Sequence, residues 1–279
     1  GFETGRTGEY NQLGTDLRLQ TRLDWNIQQQ ADRAHTMSVR ANLNVNRQDS
    51  TRINALDVSH HGGDSERNNR LAGATLTSRF GQNWTNTVNV SYAETWNESL
   101  PYIDMPEGQV RVTSEFEDGT RGTRNIVFGG NRNMPTEAYN RDVQLANEVS
   151  FLLPLGAAQL HRFKVGGSVQ RLRDVTRSTD NLFGSFTYAS LADFEENRAD
   201  RYERSLSERE TRTGRFLAGL YVGDSWRVTS PLELTLGLRW DYSSFDQRPA
   251  YNPAVEEAFG RRTDEMPVVS AISPRLGFN

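Results

Sequence analysis

One stretch, residues 13–28, alternates strictly between apolar and polar side chains over 16 positions. The first set is Leu13, Thr15, Leu17, Leu19, Thr21, Leu23, Trp25 and Ile27, and the second is Gly14, Asp16, Arg18, Gln20, Arg22, Asp24, Asn26 and Gln28. Such alternation predicts a β-strand with one apolar and one polar face. Strands in soluble domains usually have about 3–10 residues. A tilted strand needs about 9–11 residues to cross the hydrocarbon of a bilayer.

The charges on the polar face indicate what that face contacts. Asp16, Arg18, Arg22 and Asp24 need water, because burying an unpaired charge is costly. Lipid on one face and water on the other is the environment of a transmembrane β-barrel. No apolar run approaches the roughly 18 residues of a membrane helix. We therefore predict an all-β fold, an antiparallel up-and-down transmembrane β-barrel.

The composition agrees with a barrel. Mean hydropathy is −0.71 and 35% of the residues are hydrophobic, as expected when only alternate strand residues contact lipid. Five Trp, nine Tyr and thirteen Phe argue against disorder. The absence of cysteine excludes disulfides and thiolate metal sites. A net charge of −4 with interspersed signs gives no indication of nucleic-acid binding.

Further strands with the same alternation follow along the chain. They are expected at about 36–47, 70–80, 84–96, 143–153, 163–169, 216–228 and 232–242, with the start of a ninth at 275–279. Short turns near 29–34, 81–83, 154–156 and 229–231 alternate with long loops at 48–69, 97–140, 176–212 and 246–272. In bacterial barrels the long loops are extracellular. The sequence therefore predicts a partial barrel of about eight to nine strands.

Aromatic residues cluster near both ends of these strands, where the two membrane interfaces would lie. Those near the short turns are Trp25, Phe80, Trp84, Phe151, Phe163 and Trp226, and those near the long loops are Trp96, Trp240 and Tyr242. Aromatic rings with a polar edge settle at bilayer interfaces. We expect these residues to form two interfacial girdles; the alternative is the core of a large soluble β-sandwich.

A resemblance rests on a hairpin, the strand that follows it and one loop element. Residues 220–229 (LYVGDSWRVT) and 232–241 (LELTLGLRWD) resemble a barrel hairpin of TonB-dependent outer-membrane receptors, and 273–278 (SPRLGF) resembles the strand that follows it. Residues 185–194 (SFTYASLADF) resemble a loop element of the Oar-like subgroup. The rest of the chain is similar to this family only in its barrel pattern.

This resemblance implies a 22-stranded barrel with an N-terminal plug, which imports a scarce ligand with energy delivered by TonB. Its implied partners are outer-membrane lipid, TonB through the plug, and an unidentified imported ligand. The sequence has no recognisable signal peptide or plug, and 22 strands need roughly 680 residues at about 31 residues per strand and loop. We therefore expect 1–279 to be a fragment of the receptor's β-barrel domain, located in the bacterial outer membrane.

Two other classes remain open. A passive porin or a surface-adhesin barrel has the same strand pattern, and a constricting loop folded into an open lumen would favour the porin. A soluble carbohydrate-binding β-protein would need no detergent. The receptor interpretation implies neither enzyme activity nor a cofactor.

Residues with catalytic or binding chemistry are few. His60-His61-Gly62-Gly63-Asp64 offers metal ligands, although a solvated loop is the simpler interpretation. Glu195-Glu196 and Glu208 with Glu210 lie among arginines, which favours a mixed-charge surface over acid–base catalysis. Gly129-Gly130 and Gly166-Gly167 lack the lysine of a phosphate loop. The arginines expected to line the lumen are Arg18, Arg22, Arg40, Arg215 and Arg239.

Overall fold

The computed structural model describes residues 13–51, 59–155, 160–266 and 268–279. In chain order the strands are β1 (Gly14–Gln29), β2 (Arg33–Thr51), β3 (Gly63–Phe80), β4 (Trp84–Pro101), β5 (Glu107–Glu115), β6 (Arg121–Gly129), β7 (Thr136–Pro154), β8 (Leu160–Ser178), β9 (Ser185–Tyr188), β10 (Arg201–Glu203), β11 (Glu210–Thr229), β12 (Leu232–Phe245) and β13 (Val269–Phe278). Two short helices, α1 (Leu191–Glu195) and α2 (Pro253–Phe259), and a 3-10 turn at Ser59–His61 lie between them. Within these ranges no helix has the length and apolar character needed to cross a bilayer.

The strands form two sheets. The larger sheet has nine strands in the order β1-β2-β3-β4-β7-β8-β11-β12-β13, and every neighbouring pair is antiparallel. This up-and-down order confirms the predicted meander of eight to nine strands. The sheet is open, with β1 and β13 at its edges. The smaller sheet has the order β10-β9-β5-β6 and is built from segments between the long strands; we call it the loop sheet.

The register keeps the two faces of the large sheet distinct from strand to strand. One row of residues facing each other across the strands is Leu23, Val39, Ala74, Val90, Leu145, Val169, Ala218 and Tyr242. The next row, on the opposite face, includes Arg22, Arg40, Gly73, Ser91, Gln144 and Gln170. We call the two sides the apolar face and the polar face.

Within the described residues, the apolar side chains of the apolar face are left largely exposed. Leu19, Leu23 and Leu145 are 56%, 51% and 47% exposed. Large apolar side chains left half-exposed in a contiguous patch indicate a surface that contacts another apolar phase. Two amides within this face share a hydrogen bond, in which Asn147 Nδ2 donates to Asn86 Oδ1 at 2.9 Å.

The strands extend beyond the predicted ends, and the predicted loop bounds were wrong. β2 continues to Thr51 and β3 begins at Gly63, so much of the expected loop 48–69 is strand. The same holds at 97–140 and 176–212, because β4, β7, β8 and β11 all reach into these loops. There the backbone ladder continues while polar side chains occupy both faces, for example Arg47 with Glu66 at 2.9 Å, so the hydrophobic alternation disappears.

The long loops also contain structure that the sequence pattern missed. β5 and β6 lie in the expected loop 97–140, β9, α1 and β10 lie in 176–212, and α2 lies in 246–272. The last strand begins at Val269 rather than at the expected 275, and it pairs with β12 along its whole length. These segments are short and carry mixed charge, so neither strand nor helix periodicity develops in them.

The short turns are where the sequence predicts them. Residues 81–83 join β3 to β4, and Gly81 has φ 61°, a left-handed conformation that glycine adopts without strain. Residues 230–231 join β11 to β12. In the third turn Pro154 ends β7 as expected, whereas residues 156–159 lie outside the described residues.

Candidate functional site: the polar face and the loop sheet

The polar face carries charges that are largely paired. Arg18 contacts Asp16 at 2.5 Å, Arg22 contacts Asp24 at 2.9 Å and Arg239 contacts Asp241 at 2.8 Å. The register also places the other two predicted arginines, Arg40 and Arg215, on this face, and Arg215 donates to the Ser243 hydroxyl at 3.2 Å. All five arginines therefore lie where the alternation predicts.

An amide-rich recess occupies the long-loop end of the polar face. It has a volume of about 710 Å³ and is lined by polar side chains of β1 to β4 together with residues of β7 and β8. Arg67 Nε donates to Asn97 Oδ1 at 2.7 Å, and the Thr95 hydroxyl donates to Asn69 Oδ1 at 3.0 Å. Among the described residues nothing donates to the buried Oδ1 of Asn44. The exposed wall of this recess therefore consists of amides, hydroxyls and charged groups that hydrogen-bond to one another.

A second recess of about 530 Å³ lies near the short turns. Its floor includes Gly223 and Gly237, and its basic residues include Arg162, Lys164 and Arg275. These glycines leave the backbone uncovered, so a bound molecule or another domain can approach it closely.

Tyr221 lies at the edge of this recess and is fixed by a carboxylate. Its hydroxyl donates to Glu148 Oε2 at 2.5 Å, and Lys164 Nζ lies 3.4 Å from Glu148 Oε1. A Cβ on Gly166 would lie 2.5 Å from Tyr221 Cζ, so Gly166 makes room for the ring. Gly166-Gly167 is therefore part of strand β8 and not a phosphate loop.

The His60–Asp64 motif joins the large sheet to the loop sheet. His61 is buried: its Nδ1 lies 2.8 Å from the Gly130 carbonyl oxygen and its Nε2 lies 3.9 Å from Glu107 Oε2. Asn131 Nδ2 donates to the His61 carbonyl at 3.0 Å. The interpretation of this motif as a solvated loop is wrong for His61, which packs in the interior of the loop structure.

The same contact region is tightly packed around Met134, which is 0% exposed. A Cβ on Gly63 would lie 2.7 Å from Met134 Sδ and 2.1 Å from the Leu100 carbonyl oxygen. A Cβ on Gly130 would lie 1.8 Å from the Met105 carbonyl oxygen. Gly129-Gly130 is therefore a close-packing element rather than a phosphate-binding one.

The other candidate groups, namely possible metal ligands and the paired carboxylates, have the surroundings of structural residues. In the described ranges no three His, Cys, Asp or Glu side chains are grouped to hold a metal ion. Glu196 contacts Arg198 at 2.8 Å, and Glu210 contacts both Arg177, at 2.7 Å, and Arg212. These ion pairs agree with the mixed-charge surface expected from the sequence.

In the turn between β5 and β6 a side chain adds to the backbone hydrogen bonds, in which Phe116 N–H donates to the Thr120 carbonyl at 2.8 Å. The Thr120 hydroxyl and its backbone N–H donate to Asp118 Oδ1 at 2.6 and 2.9 Å. Both hydrogen bonds favour the carboxylate, so the pKa of Asp118 is lowered. The charge of Asp118 therefore helps to fix the turn at neutral pH.

The aromatic residues near the short turns stack across neighbouring strands. Trp84 and Phe151 have ring centroids 4.6 Å apart, and Phe151 and Phe163 have centroids 4.8 Å apart. His161 continues the row to Trp226, with centroids 5.1 Å apart, and its Nδ1 lies 2.6 Å from Asp224 Oδ2. Sequence reasoning missed this His–Asp pair, although both residues are in phase with the apolar alternation.

The remaining predicted aromatics lie on the apolar face or at its edges. Trp25, Phe80 and Trp84 are 50%, 46% and 50% exposed. Trp96 donates to Glu137 at 3.3 Å and Trp240 donates to the Ser270 hydroxyl at 3.0 Å, while Tyr242 lies beside Phe216. Their placement at the two membrane interfaces stays a prediction.

Comparison with known proteins identifies the family. The family model described as "Outer membrane beta barrel domain" matches residues 4–256, and the chain belongs to this family. It is therefore a partial β-barrel of the outer membrane. In such a barrel the apolar face is expected to contact lipid and the polar face to line the lumen. No curated protein matches the sequence at a significant level.

Several solved structures are similar to this chain at low identity. The outer membrane transporter YddB from Escherichia coli is 12% identical with a TM-score of 0.54, over 96% of this chain and 29% of YddB. The siderophore receptor PiuA from Acinetobacter baumannii is 12% identical with a TM-score of 0.46, over 98% of this chain and 40% of PiuA. The ferric-catecholate import receptor Fiu from E. coli, in its closed form, is 11% identical with a TM-score of 0.42, over 96% of this chain and 46% of Fiu. The chain thus spans less than half the length of each.

Proposed function

We propose that this chain forms part of the barrel wall of a TonB-dependent receptor, which takes up a scarce ligand with energy delivered through TonB. The main support for this proposal is the polar face. It forms a continuous polar wall along nine strands, and an amide-rich recess lies in it at the end where the folded loops are. The hairpin at 220–241 resembles this receptor family, and the fold is similar to that of an outer membrane transporter.

We further propose that this wall is completed by more strands and a plug within a longer receptor. The strands β1 and β13 are edges of the sheet, and each unpaired backbone group costs several kcal/mol in lipid. The chain spans 29% of the length of YddB, which leaves room for such additions in a protein of that size.

The Oar-like assignment of 185–194 also remains a proposal; this segment forms β9, α1 and the residues that join them.

The proposed role involves no catalysed reaction. The candidate carboxylates pair with arginines, as Glu196 does with Arg198 and Glu210 does with Arg177. We therefore propose a transport protein without enzymatic activity. Its wall would contact the ligand and the plug through amides and paired charges.

Conductance of the complete protein separates a receptor from a porin. We would read the whole reading frame that contains this sequence, purify its product from outer membranes and insert it into planar bilayers. A receptor should conduct only after its plug is deleted, and it should bind the periplasmic domain of TonB through a segment before the barrel. Steady open channels in the intact protein, or a frame without a plug, would indicate a porin instead.

A further inference from the structure

A cluster of polar side chains lies on the apolar face, where lipid rather than water is expected. Its centre is Glu94 of β4, whose side chain is 14% exposed. Tyr92 and Tyr139 donate their hydroxyls to Glu94 Oε2 at 2.5 and 2.8 Å. Arg70 Nη1 and Arg141 Nη2 lie 3.4 and 3.5 Å from the two carboxylate oxygens. We call these five residues the Glu94 cluster.

The register fixes the side of the sheet on which the cluster lies. Arg70, Glu94 and Arg141 face each other across β3, β4 and β7, in the row that begins with Leu19 and Leu43 on β1 and β2. Their guanidinium groups therefore point away from the lumen. Arginine on a lipid-contacting surface is costly unless it lies near a polar boundary or a counter-charge.

The cluster lies at the boundary of the apolar band on the long-loop side. Next toward the short turns on the same face come Ala72, Tyr92 and Val143, with Arg171 beside them on β8, and then the apolar pair Val90 and Leu145. Next toward the loops come Asn68, Trp96 and Tyr139 and then a row of Glu and Arg side chains. A boundary of this kind is expected at the depth where lipid headgroups meet acyl chains.

The guanidinium groups are held in place but remain accessible. Their side chains are 61% exposed for Arg70 and 45% exposed for Arg141. The Arg141 guanidinium also lies over the Tyr139 ring, 5.2 Å from its centroid. Arg173 faces Arg141 on β8, which adds a further cation beside one central carboxylate. The site therefore presents fixed, net positive donors outward.

An apolar groove adjoins this cationic site. It has a volume of about 800 Å³ and runs over β1 to β4, where the small side chains of Thr21, Ala41 and Ala72 share one row. Leu19 and Leu43 border it on one side, and Arg70 and Tyr92 also line it. The groove has the shape and the apolar floor that suit an extended hydrocarbon chain.

We propose that the Glu94 cluster and this groove together bind a phosphorylated membrane lipid from the leaflet on the long-loop side. The phosphate lies between Arg70 and Arg141, which supply charge-assisted hydrogen bonds to its oxygens. An acyl chain lies in the groove over Ala41 and Ala72. Glu94 serves to hold the two guanidinium groups apart and aimed outward. The proposal is independent of whether the barrel is a receptor or a porin.

Lipid binding tests this proposal directly. The complete protein that contains this sequence, purified from outer membranes in detergent, is titrated with diphosphorylated lipid A in mixed micelles, and binding is followed by native mass spectrometry. The double variant R70Q/R141Q should bind about tenfold more weakly than the original protein, because two charged donors are lost. Dephosphorylated lipid A should bind the original protein about tenfold more weakly as well.

Matched controls separate this site from general electrostatics. The variant R18Q/R22Q removes the same charge from the polar face and should bind lipid A unchanged. A72F keeps every charge but fills the groove, so it should also weaken lipid A binding, and circular dichroism checks that each variant is folded. Full binding by R70Q/R141Q, equal loss in R18Q/R22Q, or displacement of lipid A by equimolar inorganic phosphate would overturn the proposal.

Discussion

Replacing Leu145 with arginine is expected to lower the free energy of unfolding by about 2–4 kcal/mol, because the new charge lies in lipid near the middle of the apolar band. Leu145 is 47% exposed and faces Val90 on β4 and Val169 on β8. None of these neighbours offers a counter-charge. The free energy is measured by urea titration in lipid vesicles, followed by tryptophan fluorescence.

The neighbouring residue provides the control for this variant. Gln144 precedes Leu145 on the same strand and faces Ser91 and Gln170 on the polar side. Gln144→Arg adds the same charge in contact with water, so its free energy of unfolding should change by less than about 1 kcal/mol. Equal losses in the two variants would mean that the faces are not exposed to different solvents.

Replacing Met134 with alanine is expected to cost about 2–5 kcal/mol in the stability of the loop sheet. Met134 is fully buried, and its sulfur packs against Gly63 at the point where β3 begins. Alanine leaves a cavity there that the close-packed glycines are unable to fill. The loss should be local, because Arg132, two residues before Met134, donates its backbone N–H to Glu107 of β5, and β5 pairs with β9. The strands β11 and β12 are separated from β3 by β4, β7 and β8.

Amide hydrogen exchange measures this local effect. Protection in β5 and β9 should fall in Met134→Ala, while protection in β11 and β12 stays unchanged. Met105→Ala is the matched control, because Met105 is 45% exposed and its side chain fills no interior space. If the two methionine variants lose the same protection, packing at Met134 does not hold the loop sheet in place.

The parts of the fold that the sequence predicts well are those where lipid imposes a rule on every second residue. In β1 and β12 the predicted and observed strands differ by a few residues at most, because Leu17 to Leu23 and Leu232 to Leu238 keep an unbroken phase. The arginines of the polar face follow from the same rule. Alternation therefore predicts both the strand and the direction of its side chains.

Beyond the apolar band this rule no longer applies. The first part of β3 carries Asp64, Glu66 and Arg67, which are polar on both faces, so the pattern there resembles a loop although the backbone ladder continues. The burial of His61 depends on Gly130 and Glu107, which lie far away in sequence. No local pattern predicts such contacts.

The Glu94 cluster was missed for a related reason. Arg70, Glu94 and Arg141 lie on three strands, and only the register brings them into one row. Read singly, each looks like an ordinary charge at the end of a strand. Their common face becomes evident once the pairing of β3, β4 and β7 is known.

The central claim is that this sheet is a membrane wall with one face in lipid and the other in water. Nitroxide labels at single sites, in protein reconstituted into vesicles, test it most directly. Labels at Leu17, Leu19, Leu23, Val88, Val90, Leu234 and Leu236 should be relaxed by oxygen dissolved in the lipid. Labels at Arg18 and Arg239 should be relaxed by a water-soluble nickel chelate. If the nickel chelate relaxes both sets equally, the membrane-wall account is wrong.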